Sequence, residues 1–229
     1  MKRTNPWTAG LAAAFAFAVI SYNIAALAAG PDGEREVTVL IENVTGSDTL
    51  KLKDGRGISA HISPGLYVVI SNGSMAFQPG KPASEALERQ AEDGNPRLLV
   101  AALQGLNGVR AAGTFTPGEP FKVTVRPGDR IVFTTMFVQS NDLFYAPAPQ
   151  GIALFNATGT LVTGDVSKEV VLWDAGTEVN EAPGVGSNQA PRQSAPNTGP
   201  AEGGVVRPIN DGFTYPAVTD VIRVTFSAE

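Results

Sequence analysis

The chain has 229 residues, 43% of them hydrophobic, with a net charge of −5 at pH 7 and no cysteine. A chain of this length can bury about 70% of its unfolded surface in one domain, so it can hold a core without disulfide bonds. The acidic balance, without a basic stripe, argues against a nucleic-acid partner. It also disfavours simple electrostatic binding to an anionic membrane.

The first residues have the pattern of a secretory signal peptide. Lys2 and Arg3 give a short positive region, residues 11–20 form an apolar run, and Ala26-Leu27-Ala28 matches the A-x-A cleavage pattern. The run is short compared with the roughly twenty apolar residues of a membrane-spanning helix. We therefore predict cleavage near Ala28 and secretion, to the periplasm or the exterior, with no membrane span in the mature chain.

Cleavage would leave about 200 residues, the size of one domain. We predict a signal peptide at residues 1–28, a linker at 29–36 and one domain at 37–229. Loss of Lys2 and Arg3 would change the net charge from −5 to −7. A secreted chain without cysteine is ordinary in bacteria and unusual among animal matrix proteins, so the composition favours a bacterial source.

Short apolar runs separated by turn residues recur along the predicted domain. The clearest runs are residues 37–43, 66–70, 121–125, 131–138, 170–173 and 221–226. Runs of this length, with turns between them, predict an all-β antiparallel sandwich of about eight strands. The short connection at residues 126–130 contains Pro-Gly, so we expect the two strands that flank it to form a hairpin.

One helical region, residues 83–103, interrupts the strands. Ser84 is a suitable N-cap and Gly94 a suitable stop, after which Asn95 and Pro96 can begin a second helix. We therefore expect one or two short helices. We expect them to cover the open end of the sandwich and to carry no chemistry.

Two predicted strands end in carboxylates. One runs into Asp142, and the other runs into Asp174 and Glu178, with Gly176 between them to permit a sharp turn. Three carboxylates within about 5 Å would repel one another, and a bound cation would remove that repulsion. Calcium takes roughly six to eight oxygen ligands, and without His or Cys nearby softer metals are disfavoured. Asp174 and Glu178 could each instead be a turn cap or a solvated side chain.

The segments that carry these acids resemble a known family. They read Met136-Phe137-Val138-x-Ser140-x-Asp142-x-Phe144 and, about thirty residues later, Trp173-Asp174-Ala175-Gly176-Thr177-Glu178. Their order and spacing resemble the spondin N-terminal domain family, which includes domains of the animal matrix proteins F-spondin and mindin and many secreted bacterial proteins. Gln139 stands where the family usually has proline. The resemblance covers roughly residues 37–226.

The resemblance implies a β-sandwich with a metal site at the matching acids. The implied ligands are Asp142, Asp174 and Glu178, and the implied ion is calcium. Glu178 stands where animal members have aspartate, which places its carboxylate one methylene further out. The animal members act in the matrix, so the resemblance also implies an adhesion or binding module.

Residues 180–204 form a long segment rich in Gly, Pro, Asn and Gln. A structureless loop of this length is usually functional or disordered, and it leaves directly from Glu178, so we expect it to pass over the acids. It could take part in binding or be a mobile surface loop without a ligand. The candidate binding surface beside it comprises Asn141, Phe144, Tyr145 and Asn180.

Two aromatic features have alternative interpretations. Phe144 and Tyr145 could form an exposed contact patch, or they could hold the loop in place. Trp173 is expected in the core of the sandwich, with Asp174 pointing outwards, because successive strand residues face opposite sides.

The predicted function is that of a secreted calcium-binding module for an unknown protein or surface polysaccharide, with no catalytic residue. One alternative is a structural envelope protein without metal, which predicts that the three acids are dispersed. A second is a glycoside hydrolase that uses a carboxylate pair such as Asp142 and Glu178. The enzyme is disfavoured because the chain has only two tryptophans, one of them in the signal peptide, and four tyrosines to line a sugar-binding cleft.

Overall fold

The computed structural model describes residues 33–71 and 75–228, so the predicted signal peptide lies outside the described residues. Within them the chain forms mostly antiparallel sheet, which confirms the predicted all-β sandwich. The strands are β1 (Arg35–Asn43), β2 (Leu50–Lys51), β3 (Gly57–Ile58), β4 (Ile62–Ile70), β5 (Val109–Phe115), β6 (Phe121–Val125), β7 (Arg130–Phe137), β8 (Leu143–Pro147), β9 (Ile152–Ala153), β10 (Gly164–Asp165), β11 (Val170–Asp174), β12 (Arg207–Pro208) and β13 (Ile222–Ala228). The helices are α1 (Glu85–Asp93), α2 (Arg97–Leu103) and α3 (Val218–Val221), with a 3-10 helix at Ser167–Glu169.

The strands form two main sheets. The small sheet has the order β10-β13-β1-β6, and the large sheet has the order β12-β11-β8-β7-β4-β5, with β9 paired to β7. A separate two-stranded sheet joins β2 to β3. In the described residues, eight strands have five residues or more: β1, β4, β5, β6, β7, β8, β11 and β13. Six of these, β1, β4, β6, β7, β11 and β13, overlap the apolar runs of the sequence, whereas β5 and β8 match none of those runs.

The sandwich core lies between the two sheets. In the small sheet, Val37, Val39 and Ile41 of β1 alternate with more exposed residues and point into this core. In the large sheet, β7 contributes Ile131 and Phe133 to the same core. Burial of each such side chain contributes about 1.5–3 kcal/mol relative to leaving it exposed.

A second core lies on the outer face of the large sheet, where α1 and α2 cover it. Leu87 of α1 and Leu99 of α2 pack there with Val132 and Phe144 from the sheet. The helices therefore cover a sheet face, and the expectation that they cover the open end of the sandwich is wrong. Because β7 is covered on both faces, every residue from Ile131 to Phe137 is buried, without the alternation of a half-exposed strand.

Helix α1 begins and ends where the sequence predicts. The Ser84 hydroxyl accepts a hydrogen bond from the Leu87 N–H at 3.3 Å, and Gly94 ends the helix at φ +65°. The Asn95 side chain accepts from the Arg97 N–H at 3.2 Å at the start of α2. The third helix, α3, was not predicted, because a single turn has no helical period to detect.

Trp173 lies in a core, as predicted, but on the other face of the sheet. It packs beneath the helices with its ring centroid 5.1 Å from that of Phe77, and its indole N–H donates to the Ala146 carbonyl at 3.2 Å. Leu172 on one side of it belongs to the sandwich core. Asp174, on the same face as Leu172, is fully buried, so the expectation that it points outwards is also wrong.

The predicted hairpin across residues 126–130 is wrong. β6 pairs with β1 in the small sheet, whereas β7 pairs with β4 and β8 in the large sheet. The connection therefore carries the chain from one sheet to the other. Asp129 in this connection accepts hydrogen bonds from the Arg126 N–H at 2.8 Å and from Arg110 at 2.6 Å, which ties it to β5 of the large sheet.

The helices of the described residues are all short, and none has the length and apolar character that crossing a bilayer requires.

Candidate metal centre

Strand pairing brings two of the predicted acids together. β8 and β11 are antiparallel, with Leu143 opposite Asp174. Asp142, just before β8, therefore lies beside Ala175, just after β11. The Ala175 N–H donates to the Asp142 carbonyl at 3.2 Å. The register of these strands thus brings together two acids that are 32 positions apart in the sequence, at the ends of two neighbouring strands of the large sheet.

One oxygen of the buried Asp142 carboxylate accepts three hydrogen bonds, and the other accepts none from the described residues. Oδ2 accepts from the N–H groups of Thr177 and Glu178, at 2.7 and 3.1 Å, and from the Thr177 hydroxyl at 3.1 Å. Oδ1 is buried without a hydrogen-bond partner. Burial, together with the charge of Asp174, raises the pKa of Asp142 to about 7, against the hydrogen bonds that favour its charged form.

Asp174 is buried and closes the turn that follows β11. Its Oδ1 accepts from the Gly176 N–H at 2.7 Å. Its Oδ2 accepts from Asn180 at 3.2 Å and from the Arg207 guanidinium at 2.8 Å. Burial raises the pKa of Asp174, while the Gly176 N–H and the charge of Arg207 oppose that rise.

The third acid at this edge is Glu202, which the sequence interpretation missed. Asp142, Asp174 and Glu202 each offer a carboxylate oxygen, and these oxygens all lie within 4.8 Å of one another. Glu202 arrives from the far end of the long loop, where its N–H donates to the Thr177 carbonyl at 2.9 Å. The sequence signal was slight, since Glu202 is simply one of two acids, with Glu181, in residues 180–204.

Glu178, the predicted third ligand, stands outside this group. Its Oε1 accepts from the Gly199 N–H at 2.7 Å, and its Oε2 accepts from the Asn141 amide at 3.4 Å. Its role in the structure is to hold the start of the long loop against its end. Burial raises the pKa of Glu178, against the hydrogen bond from Gly199.

One cation already lies at the three-carboxylate group. Nη2 of Arg207 is 2.8 Å from Asp174 and 2.6 Å from Glu202, so its single charge is shared between two acids. Among the described residues, Asp142 has no such partner, and the second oxygen of Glu202, Oε2, is also buried without a hydrogen bond. The group therefore has more carboxylates than cationic side chains. One oxygen of Asp142 and one of Glu202 accept no hydrogen bond from the part of the chain that the structure describes.

The donor set fits a hard cation. Ligands on opposite sides of a calcium ion lie at most about 5 Å apart, since each Ca–O distance is about 2.3–2.6 Å. The 4.8 Å limit on the three carboxylate oxygens is within that span. Because each carboxylate oxygen has more than one lone pair, Asp174 could coordinate an ion while it keeps its hydrogen bonds.

The candidate binding surface is mostly buried. Phe144 and Tyr145 are strand residues of β8 with no exposed area, one in the core beneath the helices and the other in the sandwich core. The prediction that they form an exposed contact patch is wrong, because β8 is an inner strand covered on both faces. Asn141 is also buried, and only Asn180 is partly exposed.

The long loop, residues 180–204, packs on itself through polar side chains. The buried Gln189 donates from Nε2 to the Ala182 carbonyl at 2.9 Å, and its Oε1 accepts from Arg192 at 2.5 Å. Glu181 accepts from the Asn188 N–H at 2.8 Å. The loop leaves and returns at the candidate metal centre, where the Val179 N–H donates to the Pro200 carbonyl.

The positions of the acids can be compared with the two alternative functions, an envelope protein without metal and a glycoside hydrolase. The envelope interpretation requires dispersed acids, yet Asp142 and Asp174 lie together and only Glu178 stands apart. The carboxylate pair considered for glycoside hydrolysis, Asp142 and Glu178, is buried, so no observation here favours that enzyme. No protein-family model matches the chain, and a search of curated proteins finds no match. The proposal for function therefore depends on the geometry of this site.

Proposed function

We propose that this protein is a secreted, calcium-binding β-sandwich of the spondin type that acts as an adhesion or binding module. The observation that carries the proposal is the group of Asp142, Asp174 and Glu202, whose carboxylate oxygens lie within 4.8 Å of one another at a buried edge of the large sheet. One carboxylate oxygen of Asp142 and one of Glu202 are buried without a hydrogen-bond partner among the described residues. A buried polar atom without a partner is costly, and a coordinated ion would satisfy both atoms.

Calcium is the ion that this chemistry favours. The three ligand groups are carboxylates, which suit hard cations, whereas zinc and copper favour the His and Cys ligands that this group lacks. Magnesium needs a stricter octahedral shell and usually keeps several waters. Calcium accepts an irregular shell that backbone carbonyls and water can complete. Extracellular calcium sites often work at dissociation constants of about 10⁻⁴–10⁻³ M, which would be adequate for a secreted protein.

The proposed ion would fasten three separate segments. Asp142 ends the turn between β7 and β8, Asp174 ends β11, and Glu202 ends the long loop. Its binding would add a direct link between the loop end and the sheet, beside the salt bridges that Arg207 already makes. A loop held in this way would present a defined surface to a partner, either a protein or a surface polysaccharide.

The test is thermal unfolding of the purified protein in millimolar calcium and in chelator. Binding to the native state alone raises stability by about 2.7 kcal/mol at a hundredfold excess of ligand over Kd, which corresponds to several degrees in Tm for a chain of this size. We expect calcium to raise Tm in the parent protein, and Glu202→Gln to abolish most of that rise.

The matched control is Glu178→Gln, which neutralises a buried glutamate next to the site but outside the group. We expect it to keep the calcium-dependent rise. The opposite result, loss in Glu178→Gln and retention in Glu202→Gln, would favour the ligand set that the sequence resemblance implies. No rise in the parent protein would remove the metal proposal.

A further inference from the structure

A second acidic feature lies between α1 and the long loop. A surface pocket of about 440 Å³ opens there, and its lining includes Pro82, Glu88, Glu92, Thr177, Ala201 and Gly203. The pocket is much larger than a single ion, since one water molecule takes about 30 Å³ of liquid volume. Its size suits the end of an organic side chain.

The carboxylate of Glu92 lines the pocket without a positively charged neighbour in that lining. It is 1% exposed, and its Oε2 is buried without a hydrogen-bond partner. Burial raises the pKa of Glu92 to about 7; a hydrogen bond with Thr177 opposes that rise, and the charges of Glu178, Glu88 and Asp142 add to it. The described residues that line the pocket include no lysine or arginine that could neutralise it.

The metal centre does not account for Glu92. This glutamate is not a member of the three-carboxylate group, and Thr177 stands between it and Asp142. The pocket itself offers two carboxylates, those of Glu88 and Glu92, and Glu88 already accepts a hydrogen bond from Asn197 at 2.8 Å. Two carboxylates fall well short of the roughly six to eight oxygens that calcium takes.

Part of the remaining wall is apolar. Pro82, Ala83 and Ala201 line the pocket beside the acids. An arginine or lysine side chain combines these two requirements, because its methylene stem packs on apolar surface while its charged head reaches a carboxylate. The flat guanidinium of arginine also matches a carboxylate with two parallel hydrogen bonds.

We infer that this pocket binds the cationic end of an arginine or lysine side chain of a partner protein, with Glu92 as the acid at its floor. The inference rests on the proposed role as a binding module, and it does not need the metal. It specifies the partner of that module as a protein segment that presents a basic residue.

The test is an NMR titration, in chelator, of the full protein with the peptide acetyl-Gly-Arg-Gly-amide, read at the amides of Thr177 and Gly203. The matched probe replaces arginine with citrulline, which has the same shape and no charge. A charge-assisted hydrogen bond contributes more than about tenfold in affinity. We therefore expect the citrulline peptide to bind about tenfold more weakly or worse.

Two variants complete the test. Glu92→Gln should weaken binding of the arginine peptide to the level of the citrulline peptide. Glu119→Gln, at an exposed position in the connection between β5 and β6, should leave binding unchanged. Equal binding of the two peptides to the parent protein, or parent-like binding by Glu92→Gln, would overturn the inference.

A third probe, agmatine, tests whether the pocket prefers a small free amine to an arginine side chain in a peptide. Agmatine binding much tighter than that of the arginine peptide would assign the pocket to a small amine and overturn the protein partner. Because every titration is done in chelator, failure here is distinguishable from failure of the calcium proposal, which is measured by Tm with calcium.

Discussion

Asp142 and Thr177 join the two acid-bearing segments directly: the Asp142 carboxylate accepts from both the backbone N–H and the hydroxyl of Thr177, at 2.7 and 3.1 Å. The same hydroxyl also lowers the pKa of Glu92, on the other side of Thr177 from Asp142. A hydroxyl has one hydrogen to donate, so Thr177 can satisfy only one of these two carboxylates as a donor. The candidate metal centre and the pocket of Glu92 therefore share this residue.

Replacement of this hydroxyl tests its importance. Thr177→Val keeps the shape and the backbone N–H but removes the one side-chain donor between two buried acids. We expect a loss of about 1–3 kcal/mol in the free energy of unfolding at pH 8 in chelator, measured by urea denaturation. Thr177→Ser keeps the hydroxyl and should lose much less. Equal stability of the two variants would contradict the role given to the hydroxyl.

The raised pKa values predict a distinctive pH dependence without metal. Folding raises the pKa of Asp142 and Glu92 from their ordinary values of 3.8 and 4.5 to about 7. The folded state then binds more protons than the unfolded state between about pH 4 and pH 7, so stability falls as pH rises through that range. We expect Tm in chelator to be lower at pH 7.5 than at pH 5.

Calcium should reverse this trend, because protons compete with the ion for the same carboxylates. The calcium-dependent rise in Tm should therefore be larger at pH 7.5 than at pH 5. Asp142→Asn, which cannot ionise, should flatten the dependence seen in chelator. A Tm in chelator that increases steadily from pH 5 to pH 7.5 would contradict the assigned environment of these acids.

Gly176 should be required for the turn after β11. It has φ +70°, and a Cβ there would lie 2.6 Å from the Val205 N and 2.9 Å from the Gly204 carbonyl carbon. We expect Gly176→Ala to destabilise by about 2 kcal/mol or more, because strain of the backbone and a clash with backbone atoms add together. Thermal unfolding of the purified variant measures this loss.

The matched control for that substitution is Gly203→Ala. Gly203 has a similar φ of +67°, but a Cβ there would meet nothing within 4 Å. We expect it to lose only about 1 kcal/mol, the cost of the left-handed backbone conformation. If the two variants are equally stable, contact with residues 204–205 does not constrain the turn.

Glu178 should control access of proteases to the long loop. Its carboxylate accepts from the Gly199 N–H and so ties the two ends of the loop. Glu178→Ala should therefore speed trypsin cleavage after Arg192 severalfold, since cleavage follows the population of locally open states. Mass spectrometry identifies the cleavage site. Glu119→Ala, an exposed change elsewhere, should leave the rate unchanged.

The sequence itself determined six of the eight long strands, the caps of α1 and two acids of the candidate site. Long apolar runs bounded by turn residues specify strands through local preferences, and Ser84 and Gly94 act on neighbouring backbone atoms. Asp142 and Asp174 could be identified as a pair because each stands at or shortly after the end of a buried strand. These are local properties, so one segment of sequence is sufficient to reveal each of them.

Tertiary structure decided which faces are covered and which acids meet. Phe144 and Trp173 are buried because α1 and α2 pack on the outer face of the large sheet. Glu202 joins Asp142 and Asp174 because the long loop returns antiparallel beside Thr177, whereas Glu178 turns to Gly199. Both outcomes depend on contacts between residues far apart in the chain, and the spacing of residues along a strand or loop does not encode such contacts.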